Sequence, residues 1–266
     1  MDLSQVIADD GTRAEHVAAI VQLVATNGYD GIDIDYEQFA FADSYDTWET
    51  TRPNWVKFIQ QLAQALHTTG KILTVSIPPI YDGGTTADSG YWVYDYASIG
   101  VVVDRIRIMG YDYSVGEAGP IAPYDWVRSA VRAAKREVDD DTKLVLGIGL
   151  YGRNWVIATK GTCPATAEGT TTVTQRNVEE LATKRNATPT YDPVTRESSF
   201  TYDLQVTDNG STCTQSRKVH FIDEQGTRER VDLARAERIG GVAFWALGFD
   251  SDAVWTAVAD VSRPQT

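Results

Sequence analysis

Cysteine and histidine are scarce in this chain. Among 266 residues there are two cysteines, Cys163 and Cys213, and three histidines, His16, His67 and His220. The histidines lie far apart, and no His-x-x-His or Cys-x-x-Cys spacing occurs, so neither a metal site nor a cofactor is expected. The two cysteines fit a disulfide in an exported protein and fit two free thiols in a cytosolic one equally well. Cationic residues are also few, 24 Lys and Arg against 37 Asp and Glu, for a net charge of −13. Nucleic acid and anionic membrane surfaces demand a basic patch, so neither is expected as a partner. No apolar run reaches the roughly 18 residues of a membrane-spanning helix. The start, Met1-Asp2-Leu3-Ser4-Gln5, has neither the basic nor the apolar region of a signal peptide.

What is present is an alternation of amphipathic helices and short strands. Val17, Ile20, Val21 and Val24 recur at helical spacing and predict a helix over 12–27, closed by Asn27-Gly28. Gly31 to Glu37 alternates apolar and acidic residues, the period of a strand. A second helix is predicted over 54–69, a strand over 72–77 ended by Pro78-Pro79, and a short helix over 93–99. Strands follow at 105–109 and 144–150, separated by a helix over 122–138. The stretch 156–218 is rich in Thr, Ser, Asn and Asp and holds both cysteines. It predicts a helix near 177–185 and strands at 199–205 and 219–222. A helix over 227–238, a strand over 241–247 and a helix over 251–260 complete the chain. Such alternation implies an α/β fold with a parallel sheet. The expected organisation is a partial barrel over 1–155, a small α+β insertion over 156–226, and the last strand and helix over 227–266.

The densest chemistry is Asp33, Asp35 and Glu37, at i, i+2 and i+4. In a strand they share one face, with successive members about 6.5 Å apart. Neighbouring carboxylates push each other's pKa values apart, so one can stay neutral and donate a proton while another stays charged. The bland alternative is a solvated acidic edge strand, which would crowd four acids onto one short segment.

Asp30-Gly31-Ile32-Asp33-Ile34-Asp35-Tyr36-Glu37 resembles the Asp-Gly-x-Asp-x-Asp-x-Glu signature of glycoside hydrolase family 18, the chitinase-type family. Met109-Gly110-Tyr111-Asp112 is similar to that family's Met-x-Tyr-Asp on strand six. Gly147-Ile148-Gly149-Leu150-Tyr151-Gly152-Arg153 is similar to its strand-seven segment, with Gly149 where proline is common. Gly241-Val242-Ala243-Phe244-Trp245 resembles its strand eight. Trp245-Ala246-Leu247-Gly248, with Asp250 and Trp255, is most similar to the bacterial spore-cortex-lytic, peptidoglycan N-acetylglucosaminidase branch. The resemblance covers about residues 10–260.

The resemblance implies a TIM (β/α)8-type barrel with a small α+β insertion before the last strand. It also implies a retaining, substrate-assisted hydrolysis of β-1,4-linked N-acetylglucosamine glycans: chitin, chito-oligosaccharides or peptidoglycan. The sugar's own N-acetyl oxygen is then the nucleophile. Carried over by position, Glu37 is the proton donor, Asp35 orients the acetamido group and Asp33 tunes Asp35. Tyr111 hydrogen-bonds the acetamido carbonyl, Asp112 holds the sugar, Trp245 stacks beneath it, and Met109, Tyr151 and Arg153 complete the substrate contacts. The implied partner is an N-acetylglucosamine-containing polysaccharide, acted on by a monomer outside the cell or at the cell wall.

The signature strand is the family's fourth, yet only 32 residues precede Asp33 and no Ser-x-Gly-Gly segment is present. The expectation is a barrel lacking the first three βα units, as in an N-terminally incomplete enzyme, with the Asp33 strand a bare edge. Such a chain would be unstable or inactive alone. Two other functions compete with hydrolysis. A non-catalytic carbohydrate-binding relative would usually lose the acid, whereas Glu37 is retained. A Mg²⁺-dependent carboxylate enzyme could use the same acids, but no phosphate-binding loop accompanies them.

Overall fold

Asp9 accepts the N–H groups of Gly11 and Thr12 at 3.0 and 2.9 Å. This caps helix α2 (Asp10–Asn27), which follows a short α1 (Leu3–Ala8). Gly28, at φ 66°, closes α2. The structure, a computed structural model, describes residues 2–37, 39, 45–80 and 90–262. They form two compact units: residues 1–109, 129–146 and 237–241, and residues 110–128, 147–236 and 242–266.

In the first unit, α2 leads to β1 (Gly31–Ile34), α3 (Trp48–Thr68), β2 (Ile72–Ile77), α4 (Tyr96–Gly100) and β3 (Arg105–Met109). Trp55, Phe58, Ile59, Leu62 and Leu66 of α3 are fully buried, each worth roughly 1.5–3 kcal/mol. Helix α3 starts six residues earlier than the sequence predicts. Pro53, just before the predicted start, sits inside the helix, where it leaves the Glu49 carbonyl without its helical donor.

β1, β2 and β3 pair in parallel, with Gly31 opposite Ile72 and Ile34 opposite Val75, then Thr74 opposite Arg105 and Ile77 opposite Ile108. Gly31 is required by close approach, because a Cβ there would lie 2.3 Å from the Ile72 carbonyl oxygen. Two faces result from the alternation. One carries Asp33, Thr74, Ser76 and Arg107; the other carries Ile34, Leu73, Val75, Ile106 and Ile108, all buried.

α5 (Tyr124–Glu137) precedes β4 (Leu144–Gly149), and β4 and β10 (Gly241–Trp245) each begin in the first unit and continue into the second. The sheet order is β1-β2-β3-β4-β10, which puts β1 at an edge among the described residues. This is a parallel half-barrel sheet with helices between its strands, the fold class the sequence implies.

The second unit holds an antiparallel sheet in the order β6-β5-β9-β8-β7. Its strands are β5 (Tyr151–Gly161), β6 (Thr171–Thr174), β7 (Thr190–Asp192), β8 (Glu197–Asp208) and β9 (Ser211–Phe221). The strands are longer than the segments predicted at 199–205 and 219–222. Helix α6 (Val178–Lys184) covers one face through Val178 and Ala182, packed with Val173, Phe200, Tyr202, Val219 and Phe221. A disulfide joins Cys163 to Cys213, which lies opposite Gly161 in the β5–β9 ladder. α7 (Glu224–Ala236) and α8 (Asp252–Ser262) complete the described elements. No helix among the described residues is long and apolar enough to cross a membrane.

Candidate active site

The acidic segment departs from the sequence expectation in one respect. β1 ends at Ile34, so only Asp33 of the three acids lies in the strand, and Asp35 and Glu37 continue beyond it. Extending the β1–β2 register would set Glu37 opposite Pro78, which has no N–H to donate. Only Asp33 is therefore held in the β1–β2 ladder, and each acid has its own surroundings.

Asp33 Oδ1 accepts the Ser76 hydroxyl at 2.8 Å, and Arg107 Nη1 lies 2.7 Å from Oδ2. The Arg107 contact is an ion pair rather than an aligned hydrogen bond, since Asp33 Oδ2 and Arg107 Nε both lack an aligned hydrogen-bond partner. Asp35 is exposed as a residue. Its pKa is nevertheless raised, first by crowding of the carboxyl by protein and then by the charge of Asp33, with Arg107 opposing.

Glu37 is exposed, and its backbone is fixed from below. The hydroxyl of fully buried Tyr94 donates to the carbonyls of Tyr36 and Glu37 at 2.9 and 2.7 Å. Trp55 Nε1 in turn donates to the Tyr94 carbonyl at 3.0 Å. The Tyr36 ring stacks with Phe58 and His16, and its hydroxyl lies 2.9 Å from His16 Nε2.

In the second unit, Asp112 adopts the left-handed conformation at φ 60°. Its Oδ1 accepts both the Tyr151 hydroxyl and Arg153 Nη2, each at 2.7 Å. Tyr151 and Arg153 alternate along β5 and so reach the same side. Burial, then the Asp112 charge, raises the Tyr151 pKa well above the ordinary tyrosine value, so its hydroxyl stays protonated as a donor. Tyr111 meets the Tyr151 ring edge-on, with centroids 6.1 Å apart. A Cβ on Gly149 would fall 2.7 Å from the Tyr151 ring, so this position accommodates the tyrosine by having no side chain.

Trp245 ends β10 with its side chain 53% exposed, and its carbonyl accepts the Leu150 N–H at 2.7 Å. The Trp245–Ala246 peptide bond is cis. Behind it, Asp250 accepts Gly248 N–H at 2.8 Å and Trp255 Nε1 at 2.9 Å. Met109, the last residue of β3, is buried. Thus Tyr111, Asp112, Tyr151 and Arg153 form one connected group, and Trp245 joins the start of β5 through its backbone. No cluster of His, Cys, Asp or Glu that could hold a metal occurs among the described residues.

Comparison with known proteins decides the family. The family model described as glycosyl hydrolases family 18 matches residues 2–250. The chain belongs to glycosyl hydrolase family 18.

Among its relatives, a sporulation-specific glycosylase candidate of Bacillus subtilis, YdhD, is 30% identical over 91% of this chain and 53% of its own length. The cortical fragment-lytic enzyme of the same species is 25% identical over 84% of this chain and 50% of that protein. The chain therefore spans about half the length of these curated relatives. A crystal structure of a chitinase from Chromobacterium violaceum superposes with a TM-score of 0.77 at 26% identity, covering 96% of this chain and 73% of that one.

Sequence reasoning missed several residues that support the candidate ones in each unit. Arg107 and Ser76 beside Asp33 carried a signal: polar residues alternate with Ile106, Ile108, Val75 and Ile77 on the strands next to the acidic one. Tyr94 carried none, since a tyrosine near a short helix is ordinary core material. Glu197 was also missed. Its fully buried carboxylate accepts the N–H groups of Ile121 and Ala122 at 2.7 and 2.6 Å. Fully buried Arg230 pairs with it at 3.3 Å and also donates to the Ala122 carbonyl. This network anchors the far end of the loop that begins with Tyr111 and Asp112, where Tyr113 N–H also meets the Ile121 carbonyl at 2.8 Å.

Proposed function

We propose that this family 18 protein hydrolyses β-1,4-linked N-acetylglucosamine glycans by a retaining, substrate-assisted route. In that chemistry the acetamido oxygen of the sugar attacks C1, the bond to the leaving oxygen breaks, and the enzyme supplies a proton but no nucleophile. Glu37 donates the proton to the leaving oxygen and later takes one from the attacking water. Asp35 orients the acetamido N–H and faces the positive charge that develops on the ring formed with it. Asp33, held between Ser76 and Arg107, adjusts the proton affinity of Asp35. Tyr111 hydrogen-bonds the acetamido carbonyl, Asp112 holds the sugar, and Tyr151 and Arg153 hold Asp112. Trp245 supplies an apolar surface for a sugar face, and Met109 backs the Tyr111–Asp112 turn.

One observation carries this reading: Asp35 has a raised pKa beside Asp33, two residues before an exposed Glu37. A carboxyl whose proton is held more tightly than usual suits a partner that hydrogen-bonds the acetamido group and meets the charge developing on it. The relatives' names favour cell-wall glycans and chitin as substrates. The disulfide supports an oxidising setting, outside the cell or at its wall. Glu37→Gln should lower turnover of a chromogenic chitobioside by about 10²–10⁴-fold while leaving its binding intact. Turnover retained within a few-fold would remove Glu37 from the role of acid.

A further inference from the structure

Three arginines among the described residues are buried to 2% exposure or less: Arg13, Arg217 and Arg230. Two of them meet a carboxylate, Arg13 through Asp10 and Arg230 through Glu197. Arg217 has no carboxylate within ion-pair distance among the described residues. Its Nε donates to Gln215 Oε1 at 3.0 Å, and its Nη2 donates to the carbonyls of Glu168 and Gly169. Nη1 donates to none of the described residues. A buried guanidinium whose charge meets only carbonyl and amide dipoles is costly to keep, and it favours any anion that can reach it.

The Arg217 side chain forms part of a cavity wall. The cavity is open, has a volume of about 460 Å³ and lies on the insertion sheet, between β5, β6, β8 and α6, within the size range of small-molecule sites. Charged groups on its wall are Arg217, Arg185, Lys184, Glu168 and Glu180. The wall is thus net cationic by one charge in a chain of net −13. Arg185 also lacks a carboxylate partner, its buried Nε has no hydrogen-bond partner, and its guanidinium lies 5.4 Å from the Tyr202 ring centroid. The Thr171 hydroxyl and the Asn154 amide, which bond each other at 3.2 Å, add neutral polar groups to the same wall. The combination is cationic forks for a carboxylate together with hydroxyl, amide and aromatic groups for a sugar.

We propose that this cavity binds a sugar that carries a carboxylate, at a site separate from the Asp112–Tyr151–Arg153 group. It deepens the functional reading above and rests on it: such a site selects a glycan whose units alternate between neutral and acidic sugars over an uncharged homopolymer. N-Acetylmuramic acid and N-acetylglucosamine are a matched pair of probes, differing by one lactyl ether with its carboxylate.

The test is titration of the isotopically labelled 266-residue chain with each sugar, followed through amide shifts of residues 171–185. N-Acetylmuramic acid should move these amides saturably, and N-acetylglucosamine should bind there at least about ten-fold more weakly. Arg217→Met should weaken the muramate response about ten-fold. Arg185→Gln, at a half-buried position, should weaken it too and decides the matter should Arg217→Met fail to fold. Equal responses to both sugars, no response, or a response unchanged in Arg185→Gln would overturn the site. A response to sodium acetate as tight as that to muramate would overturn the sugar part, leaving a simple anion site. Chitobioside turnover by the same preparation separates the two readings. Turnover without a muramate response sinks the cavity proposal alone, and a muramate response without turnover sinks the hydrolase reading alone.

Discussion

Reducing the Cys163–Cys213 bond should cost the protein about 4 kcal/mol. The two cysteines are 50 residues apart in sequence, and their bond closes a loop of that length in the unfolded chain. The loop-entropy relation for a cross-link of this size gives about 4 kcal/mol at 25 °C. In the folded state the bond asks little of the backbone. Cys213 sits in β9 opposite Gly161, and Cys163 follows just two residues later, so the ladder already brings the two together. The stabilisation therefore acts through the unfolded chain, and removing the bond should leave the β5–β9 ladder in place. At about 2–4 °C per kcal/mol for a protein of this size, the midpoint should fall by roughly 8–16 °C. Thermal unfolding followed by circular dichroism, with and without reductant, gives the number. Alkylation of the denatured chain shows whether both thiols are unavailable before reduction and available after. A double Cys163→Ala, Cys213→Ala variant should reproduce the reduced midpoint. If both thiols become free on reduction and the midpoint moves by less than about 2 °C, the loop-entropy argument is wrong for this protein.

Asp35→Asn should raise thermal stability at neutral pH while abolishing turnover. The folded-state pKa of Asp35 lies above its unfolded value of 3.8, so its charged form is the one that folding disfavours. The gain should be fully present above the folded pKa and vanish as pH falls below about 3.8, which midpoints measured across that range would show. Glu197→Gln should destabilise by about 3–5 kcal/mol, because it strands the buried Arg230 charge. Adding Arg230→Met should recover most of that in denaturant titrations, and a single-variant loss below about 1 kcal/mol would show the pair to be hydrated. Gly152→Ala should also be strongly destabilising, since its Cβ would lie 2.1 Å from the His220 carbonyl oxygen; an unchanged denaturation midpoint would contradict that geometry.

Much of the fold was legible because the relevant signals were local. The strands at Ile72–Ile77 and Arg105–Met109 have sharp boundaries, a double proline after one and Gly110 after the other, and they appear where the sequence places them. The insertion was harder. β8 alternates Phe200, Tyr202, Leu204 and Val206 with polar residues, but β9 opens on Ser, Thr, Cys, Thr, Gln and Ser, so no aliphatic residue marked its start. The Asn209-Gly210 pair between them, both at positive φ, is the hairpin signal that would have revealed their length. The end of β1 was missed because alternation of side chains persists past the point where hydrogen bonding stops. At the site, the acids announced themselves through spacing. Their supports, Tyr94 and Arg107, come from positions 57 and 70 residues beyond Glu37, where one-dimensional pattern has no reach.

The position of β1 has a bearing on how residues 1–266 behave in solution when made on their own. A strand at the edge of a sheet offers its outer N–H and C=O groups to any passing strand, including the same strand of another molecule. In two copies joined edge to edge, Asp35 of one chain would crowd Asp35 of the other, and that mutual repulsion keeps the edges apart while Asp35 is charged. Acidification removes this guard. Light scattering should rise as the pH is lowered through the titration of Asp35, before the circular-dichroism signal is lost, so an acid proposed for chemistry would also keep the protein dispersed.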